Sequence, residues 1–399
     1  MHAGASTINY VITSVEFNAS HSRPVGLREE PIENRLSEDG MPSDADDKID
    51  MNDRGLGAPM TGDAGPFGKV VLGPMSGYTS WSYRAFMEPF GVDCSVTEMV
   101  SAAGLIHNPE ESLRFVRATD IAATGVQIFG GEARTMAKGA VAALELEPRT
   151  AFVDINMGCP VKKVVRVGAG SSLAEDPERF RAVIRAVKDA VDVPVTAKIR
   201  LGHDDGHIDC RKVIEGLIAS DVDAVTVHAR TVEQQYSGQA RYDIIRGLGD
   251  EIPVPLIVSG DIYSLDDAVN AMEITSAAGV MIARGGVGNP FLITQISEYL
   301  RSGRILPEPS MSQQADWCLR LLDMTIGEMG EEIALARIKS LAPKFLSGCR
   351  YSRDYRRAIT DRGSGLEDVR DLLEKVRDEM ADVAFRSCGG WPRIPPRGP

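Results

Sequence analysis

Between residues 69 and 303 the sequence alternates, again and again, between a short β-branched run and an amphipathic stretch. The strand-like runs are Lys69–Gly73, Cys94–Glu98, Thr124–Phe129, Ala151–Ile155, Val195–Ile199, Ala224–Val227, Pro255–Val258 and Val280–Ala283. Helical periods separate them at Trp81–Pro89, Ala133–Leu144, Pro177–Ala190, Cys210–Ser220, Asp243–Leu248, Leu265–Met272 and Pro290–Leu300. Strand and helix in turn call for parallel strands joined by crossover helices. The number of runs and a span of roughly 235 residues fit an α/β fold of the (β/α)8 TIM-barrel type. A doubly wound sheet, the rival, would usually have fewer strands and a Gly-x-Gly-x-x-Gly turn after the first. The first run here ends instead in Gly73-Pro-Met-Ser-Gly77.

The flanks differ in texture. Residues 1–68 hold 12 Asp/Glu against 5 Lys/Arg. Only Ile8–Phe17 alternates like a strand, and nothing from Ser20 to Gly68 has a period that could bury a core. This segment is expected to be a mostly disordered acidic extension. After a linker at residues 304–310, helical periods recur at Gln313–Met329, Glu331–Leu346, Tyr351–Ile359 and Leu366–Val383, so 311–386 reads as a small all-α domain. The prolines and glycines of 387–399 stop any helix and mark a flexible tail.

Several classes of protein are not expected. No run approaches the roughly 18 apolar residues of a membrane span. The opening residues lack the basic-then-apolar order of a secretory leader. The six cysteines are far apart, with no Cys-x-x-Cys pair, which excludes a zinc ribbon or a disulfide scaffold and leaves no metal site in view. A reducing cytoplasm is the expected location. The net charge of −13 disfavours a polyanionic partner at first sight, but residues 337–362 carry 8 Lys/Arg against 2 Asp/Glu. Nucleic acid responds to that local field and not to the total.

In such a barrel the active site lies where the strands end. The endings here are Pro74 with Met75, Glu98, Gln127, Asn156 with Cys159, Lys198, His228 with Arg230, Ser259-Gly260-Asp261, and Arg284-Gly285. The last two resemble a phosphate clamp: glycine admits backbone N–H groups to an anion, and arginine supplies a fork of donors. Lys198 ends an apolar strand, where an ammonium must meet an anion, either a bound reduced flavin or a barrel carboxylate. Gln127 either contacts a flavin edge or fills a polar layer. His228 either donates to a ligand or bonds to the backbone. Cys159 sits on a Gly/Pro-kinked loop with Lys162, Lys163 and Arg166 close behind. A thiol there can donate a proton to a carbanion-like carbon or attack as a nucleophile, and the cations are expected to lower its pKa.

Asp154-Ile-Asn-Met-Gly-Cys-Pro160 with Lys162-Lys163-Val164 is the most telling motif. With Gly73-Pro-Met-Ser-Gly77, Val126-Gln-Ile-Phe-Gly130, Ala197-Lys-Ile-Arg200, Val227-His-Ala-Arg-Thr231 and Ser259-Gly-Asp-Ile262, it resembles the tRNA-dihydrouridine synthases in order and spacing from about Lys69 to Leu346. The resemblance implies an FMN-containing barrel with a helical tRNA-binding domain, which reduces the 5,6 double bond of particular uridines in tRNA with electrons from NADPH. It implies that Cys159 protonates C5 while reduced FMN delivers hydride to C6. Gly73, Pro74, Met75, Gln127, Lys198 and His228 would contact the flavin ring and ribityl chain, and Ser259, Gly260, Asp261, Ala283 and Arg284 the phosphate. On the RNA side it implies Asn156 at the flipped uracil; Lys163, Arg166 and Arg230 are expected nearby, and the local positive charge of 337–362 independently points to Arg356 and Arg357 as RNA contacts. Three positions depart from the family pattern: Ser259 where asparagine is usual, Ala283 where glycine is common, and Val165 before Arg166. Two alternatives remain at this stage. One is a flavin barrel acting on a free pyrimidine, as dihydroorotate dehydrogenases do, and the other is a non-catalytic RNA-binding protein.

Overall fold

A computed structural model describes residues 64–348 and 351–386, all within one compact unit that begins at Leu56. Most of the acidic extension, the alternating Ile8–Phe17 segment, Arg350 and the 387–399 tail lie outside the described residues.

The strands are β1 (Val70–Leu72), β2 (Cys94–Val96), β3 (Val100–Ser101), β4 (Ala123–Phe129), β5 (Thr150–Asn156), β6 (Val195–Arg200), β7 (Ala224–His228), β8 (Leu256–Ser259) and β9 (Gly279–Ile282). Neighbours pair in parallel from β4 through to β9; β9 pairs with β1, β1 with β2, and β2 with β4. The circle is therefore closed by eight strands. β3 is a two-residue addition beside the end of β4. This is the (β/α)8 TIM barrel that the alternation predicts, and every expected strand is present within one or two residues.

The helices are α1 (Trp81–Met87), α2 (Ala102–His107), α3 (Pro109–Val116), α4 (Ala133–Leu146), α5 (Lys162–Val165), α6 (Ser171–Ala174), α7 (Pro177–Lys188), α8 (Cys210–Ile218), α9 (Leu248–Glu251), α10 (Leu265–Thr275), α11 (Phe291–Ser302), α12 (Met311–Met329), α13 (Glu331–Phe345), α14 (Ser352–Thr360) and α15 (Leu366–Glu379). Two differences from expectation have local causes. The Asp243–Leu248 period is split into a 3-10 turn, Tyr242–Ile245, and α9, because Arg246 adopts an extended backbone with ψ 129°. α2 and α3 form where no helix is expected. Ser101 caps α2 by accepting from the Gly104 N–H, and Pro109 stands at the first turn of α3, where a missing N–H costs nothing.

One turn precedes Lys69 among the described residues. The 3-10 turn Gly65–Phe67 carries Phe67 into the N-terminal end of the barrel, where its ring meets Phe152 edge to face with centroids 4.8 Å apart. Phe67, Val71, Val96, Phe152, Ile257 and Met281 fill this end as one apolar cluster. Gly125 makes room for it: a β-carbon there would lie 2.1 Å from the Phe152 ring. Gly125→Ala is expected to lower stability by about 1–3 kcal/mol through overpacking. A urea midpoint equal to the parent's would refute this account of the filling, and Phe152→Leu in the same chain should recover part of the loss.

The helical segment packs directly on the barrel. α12 opens with a reciprocal cap between Ser310 and Gln313 and lies against α1, α13 and α15. Trp317 of α12 stacks on Phe291 and meets Phe90 edge to face, and Phe345 of α13 meets Phe86. Glu328 near the end of α12 accepts from the Ser82 N–H in the first turn of α1. An anion there suits the positive end of a helix.

Candidate active site

Above the apolar filling, the inward positions of the strands turn polar. They open into a cavity of about 480 Å³ at the C-terminal end of the barrel. Gly73, Pro74, Met75, Gln127, Asn156, Cys159, Lys198, His228, Ser259, Gly260, Asp261, Ala283 and Arg284 all line it. The structure thus brings together residues spread over more than two hundred positions. Lys163 and Arg166 are exposed on and just after α5, and Arg356 and Arg357 are exposed on α14. None of these four lines the cavity. Glu98 does not line it either: its carboxylate accepts from the Gly77 N–H at 2.8 Å, pinning the β1–α1 loop, and burial pushes its pKa up.

The Cys159 loop is folded onto β5. Asn156 Oδ1 accepts from the N–H groups of Gly158 and Cys159 at 3.3 and 3.0 Å, and the Cys159 carbonyl accepts from the Ser171 N–H at 3.1 Å. Asn156 Nδ2 donates to Gln127 Oε1 at 2.8 Å, and Gln127 Nε2 donates to Asp154 Oδ2 at 2.7 Å. Gln127 therefore belongs to a buried polar layer and still keeps one amide hydrogen to offer.

The expectation of a lowered Cys159 pKa is overturned. Burial pushes the thiol above its usual value. Of the nearby cations, Arg200 opposes that push, and Lys162, Lys163 and Arg166 do not contribute. The physical reason is placement: those three are exposed, whereas Arg200 reaches beneath the loop. Its Nε donates to the Gly158 carbonyl at 2.9 Å, and Nη1 donates to the carbonyls of Thr231 and Gln235, both at 2.9 Å. Cys159 is therefore a protonated thiol at neutral pH, with a guanidinium beside it.

The cavity holds an excess of positive charge in an acidic protein. Lys198 makes no ion pair within 4 Å among the described residues, and burial, then Arg200, brings its pKa down to about 8. The barrel carboxylate Asp154 opposes that shift but does not touch Lys198. Burial likewise lowers Arg200 to about 10. His228 is held well below its usual pKa by burial and by Arg200, Lys198, Arg230 and Arg284, so it is a neutral imidazole.

At the far side, Arg284 lies over the rings of Tyr236 and Tyr263 and pairs with Asp261 at 3.3 Å. Gly260 takes φ +125°, a conformation that L side chains rarely adopt, which turns the backbone after β8 toward the cavity. The Asp261 carboxylate accepts from Arg230, Arg284 and the Ala240 N–H, so it positions Arg284 and is not itself turned on an anion. Arg230 is only 1% exposed. Its donors go to Asp261, to the carbonyls of Ser237 and Gly238 and, at 3.4 Å, to Nε2 of the neutral His228 ring, so it braces the wall from behind. Sequence reasoning passed over Asp154, Arg200, Tyr236 and Tyr263. Arg200 was legible as the second basic residue of Ala197-Lys-Ile-Arg200, at the end of β6 with Lys198.

Among the described residues no cluster of His, Cys, Asp and Glu suits a metal ion, and no helix is long and apolar enough to cross a membrane. Residues 71–381 match the family model described as Dihydrouridine synthase (Dus). A "Probable tRNA-dihydrouridine synthase" of Rickettsia conorii is 32% identical over 316 residues, 79% of this chain and 94% of that protein. "tRNA-dihydrouridine synthase B" of Pseudomonas putida is 37% identical over 245 residues, 61% of this chain and 72% of that protein. A "Probable tRNA-dihydrouridine synthase" of Rhizobium leguminosarum is 36% identical over 267 residues, 67% of this chain and 81% of that protein.

Proposed function

The chain belongs to the dihydrouridine synthase family, and from that premise we propose that it reduces the 5,6 double bond of uridines in cytoplasmic tRNA, with FMN in the barrel cavity and NADPH as electron donor. The observation that carries this reading is one cavity lined by both Cys159 and Lys198, a lysine that no carboxylate pairs with among the described residues.

The residues present fit a flavin mononucleotide. The volume is in the usual range for a bound cofactor. Lys198 offers a cation to the pyrimidine edge, with Gln127 and His228 as neutral hydrogen-bonding groups beside it. Ser259, the turn at Gly260, Ala283 and Arg284 suit a phosphate, and Gly73, Pro74 and Met75 form the opposite rim. When bound and reduced, the flavin supplies the hydride for C6 of the base. The protein's own part is to hold the base and to deliver the second hydrogen. Cys159 Sγ–H gives its proton to C5, and Arg200 steadies the thiolate until solvent returns a proton. Asn156 at the mouth orients the uracil. The target must leave its stack to reach this depth, which requires a grip on the surrounding RNA. The arginines of α14 offer that grip, and a free-pyrimidine enzyme would have no use for them.

The direct test is to mix purified protein, FMN and NADPH with unmodified tRNA and to map dihydrouridine at each position. Product at defined uridines is the expected result, and none under conditions where NADPH is oxidised would sink the reading. Lys198 gives a second check. Its ammonium exists below pH 8, so it strengthens FMN binding there, and the benefit fades as pH rises through the value of the bound state. FMN affinity should hold steady to about pH 8 and then fall by up to roughly tenfold per unit. Lys198→Met should bind more weakly at pH 7 and lose the pH dependence. The same pH curve from both proteins would remove Lys198 from this role.

A further inference from the structure

Asp154 is completely buried, and nothing in the chemistry above uses it. It stands on β5 two residues before Asn156, so both side chains point into the barrel. The hydrogen bonds that run between the Cys159 loop and this carboxylate have a single direction. The N–H groups of Gly158 and Cys159 can only donate, so the Asn156 atom facing them is its oxygen. The other end of that amide is then NH₂, and it must meet Gln127 Oε1. Gln127 in turn presents its NH₂ to Asp154 Oδ2. Thr196 Oγ1 donates to the remaining oxygen, Oδ1, at 2.7 Å. Each link sets the polarity of the next, and the run closes only on an atom that accepts.

We propose that Asp154 is a positioning residue: by ending this run of amides on an acceptor, it fixes which way Gln127 and Asn156 face and holds the Cys159 loop at the cavity mouth. The functional weight of this rests on Cys159 as the proton donor. Reversing either amide would set donor against donor and acceptor against acceptor in a buried place, where such mismatches are most costly.

The test exchanges the two ends of one link in flavin-free protein. Gln127→Glu sets two carboxylates face to face. Asp154→Asn alone keeps an acceptor for Gln127, because the Thr196 hydroxyl can turn and accept from the new amide. The double variant Gln127→Glu with Asp154→Asn restores every donor–acceptor pair with the direction of the run intact. In it the amide introduced on β5 donates to the carboxylate introduced on β4, and that carboxylate still accepts from Asn156. The readout is the rate at which iodoacetamide alkylates Cys159, followed on its own peptide so that it is separated from Cys349, Cys388 and the buried Cys94, Cys210 and Cys318.

Gln127→Glu should be alkylated about fivefold faster or more, as the loop opens. Asp154→Asn and the double variant should stay within about twofold of the parent. A purely space-filling role for Asp154 predicts no rescue, and a double variant as reactive as Gln127→Glu overturns the proposal. So does a parental rate in Gln127→Glu. Should Gln127→Glu fail to fold, a folded double variant with the parental rate supports the proposal, and a double variant that also fails to fold refutes it. None of these readings needs dihydrouridine to be the product. Rescue in a protein that makes none would count against the proposed function and leave the relay standing.

Discussion

Replacing Cys159 by alanine is expected to leave FMN bound and to lower dihydrouridine formation on tRNA by about 10²–10⁴-fold, the usual worth of a positioned general acid. The variant removes only the sulfur. The loop is held by the backbone of residue 159, through its N–H to Asn156 and its carbonyl to Ser171, and those bonds survive. The residues proposed to hold the flavin sit on the strand ends around it and keep their places. Protein yellow as before, with turnover on tRNA near zero, is therefore the signature. The pH profile supplies a second signature. Burial lifts the thiol above its usual value, so the acid is present throughout the neutral range and is lost only as pH rises through that lifted value. With FMN kept saturating at every pH, the parent should show a flat rate to the alkaline side and then a fall, and the residual rate of the alanine variant should lack that limb. A variant within about threefold of the parent would strip Cys159 of its role, since even weak acid catalysis contributes more.

Reversing two charges on α14 is the other large effect. Arg353, Arg356 and Arg357 recur at spacings of three and four, so they share a face, and all three are exposed. Arg356→Glu with Arg357→Glu should weaken tRNA binding by about 30-fold or more near physiological salt, the loss expected from two phosphate contacts. The slope of log affinity against log salt should shrink by about two. Oxidation of NADPH by the enzyme without tRNA should not change, because α14 contributes nothing to the cavity lining. Equal affinity for tRNA before and after would move the RNA to another surface.

The architecture was largely legible from periodicity. β5 ends in Asn156 and β6 ends in Lys198-Ile-Arg200, and the rule that such ends carry chemistry located the cavity. The breaks were not legible, because they depend on single backbone angles: Arg246 turns extended in the middle of a helical period, and no pattern of side chains announces it. Charges in the site were misjudged for a related reason. Lys162, Lys163 and Arg166 are near Cys159 along the chain, but a short helix turns them to solvent. Arg200 is 41 residues away and lies beside the thiol. Distance along the sequence says little about the electrostatics of a barrel mouth, whose walls come from every strand. Asp261 shows the same limit from another side. Its position marked it as part of the anion site, and it does line the cavity, but its place in the sequence did not show that its oxygens accept from Arg230, Arg284 and the Ala240 N–H.

The ring contacts of Trp317 and Phe345 with the barrel have a consequence for how a base would be chosen. Because α12 and α13 are seated on the barrel wall by aromatic packing and by Glu328, the arginine face and the mouth stand at a set separation, like the jaws of a caliper. A folded RNA gripped at one jaw can offer the other only those nucleotides that lie at matching reach. Selection of the target would then follow from the shape of the RNA more than from its letters, and repacking Trp317 could move the choice along the molecule without altering a single group at the reacting centre.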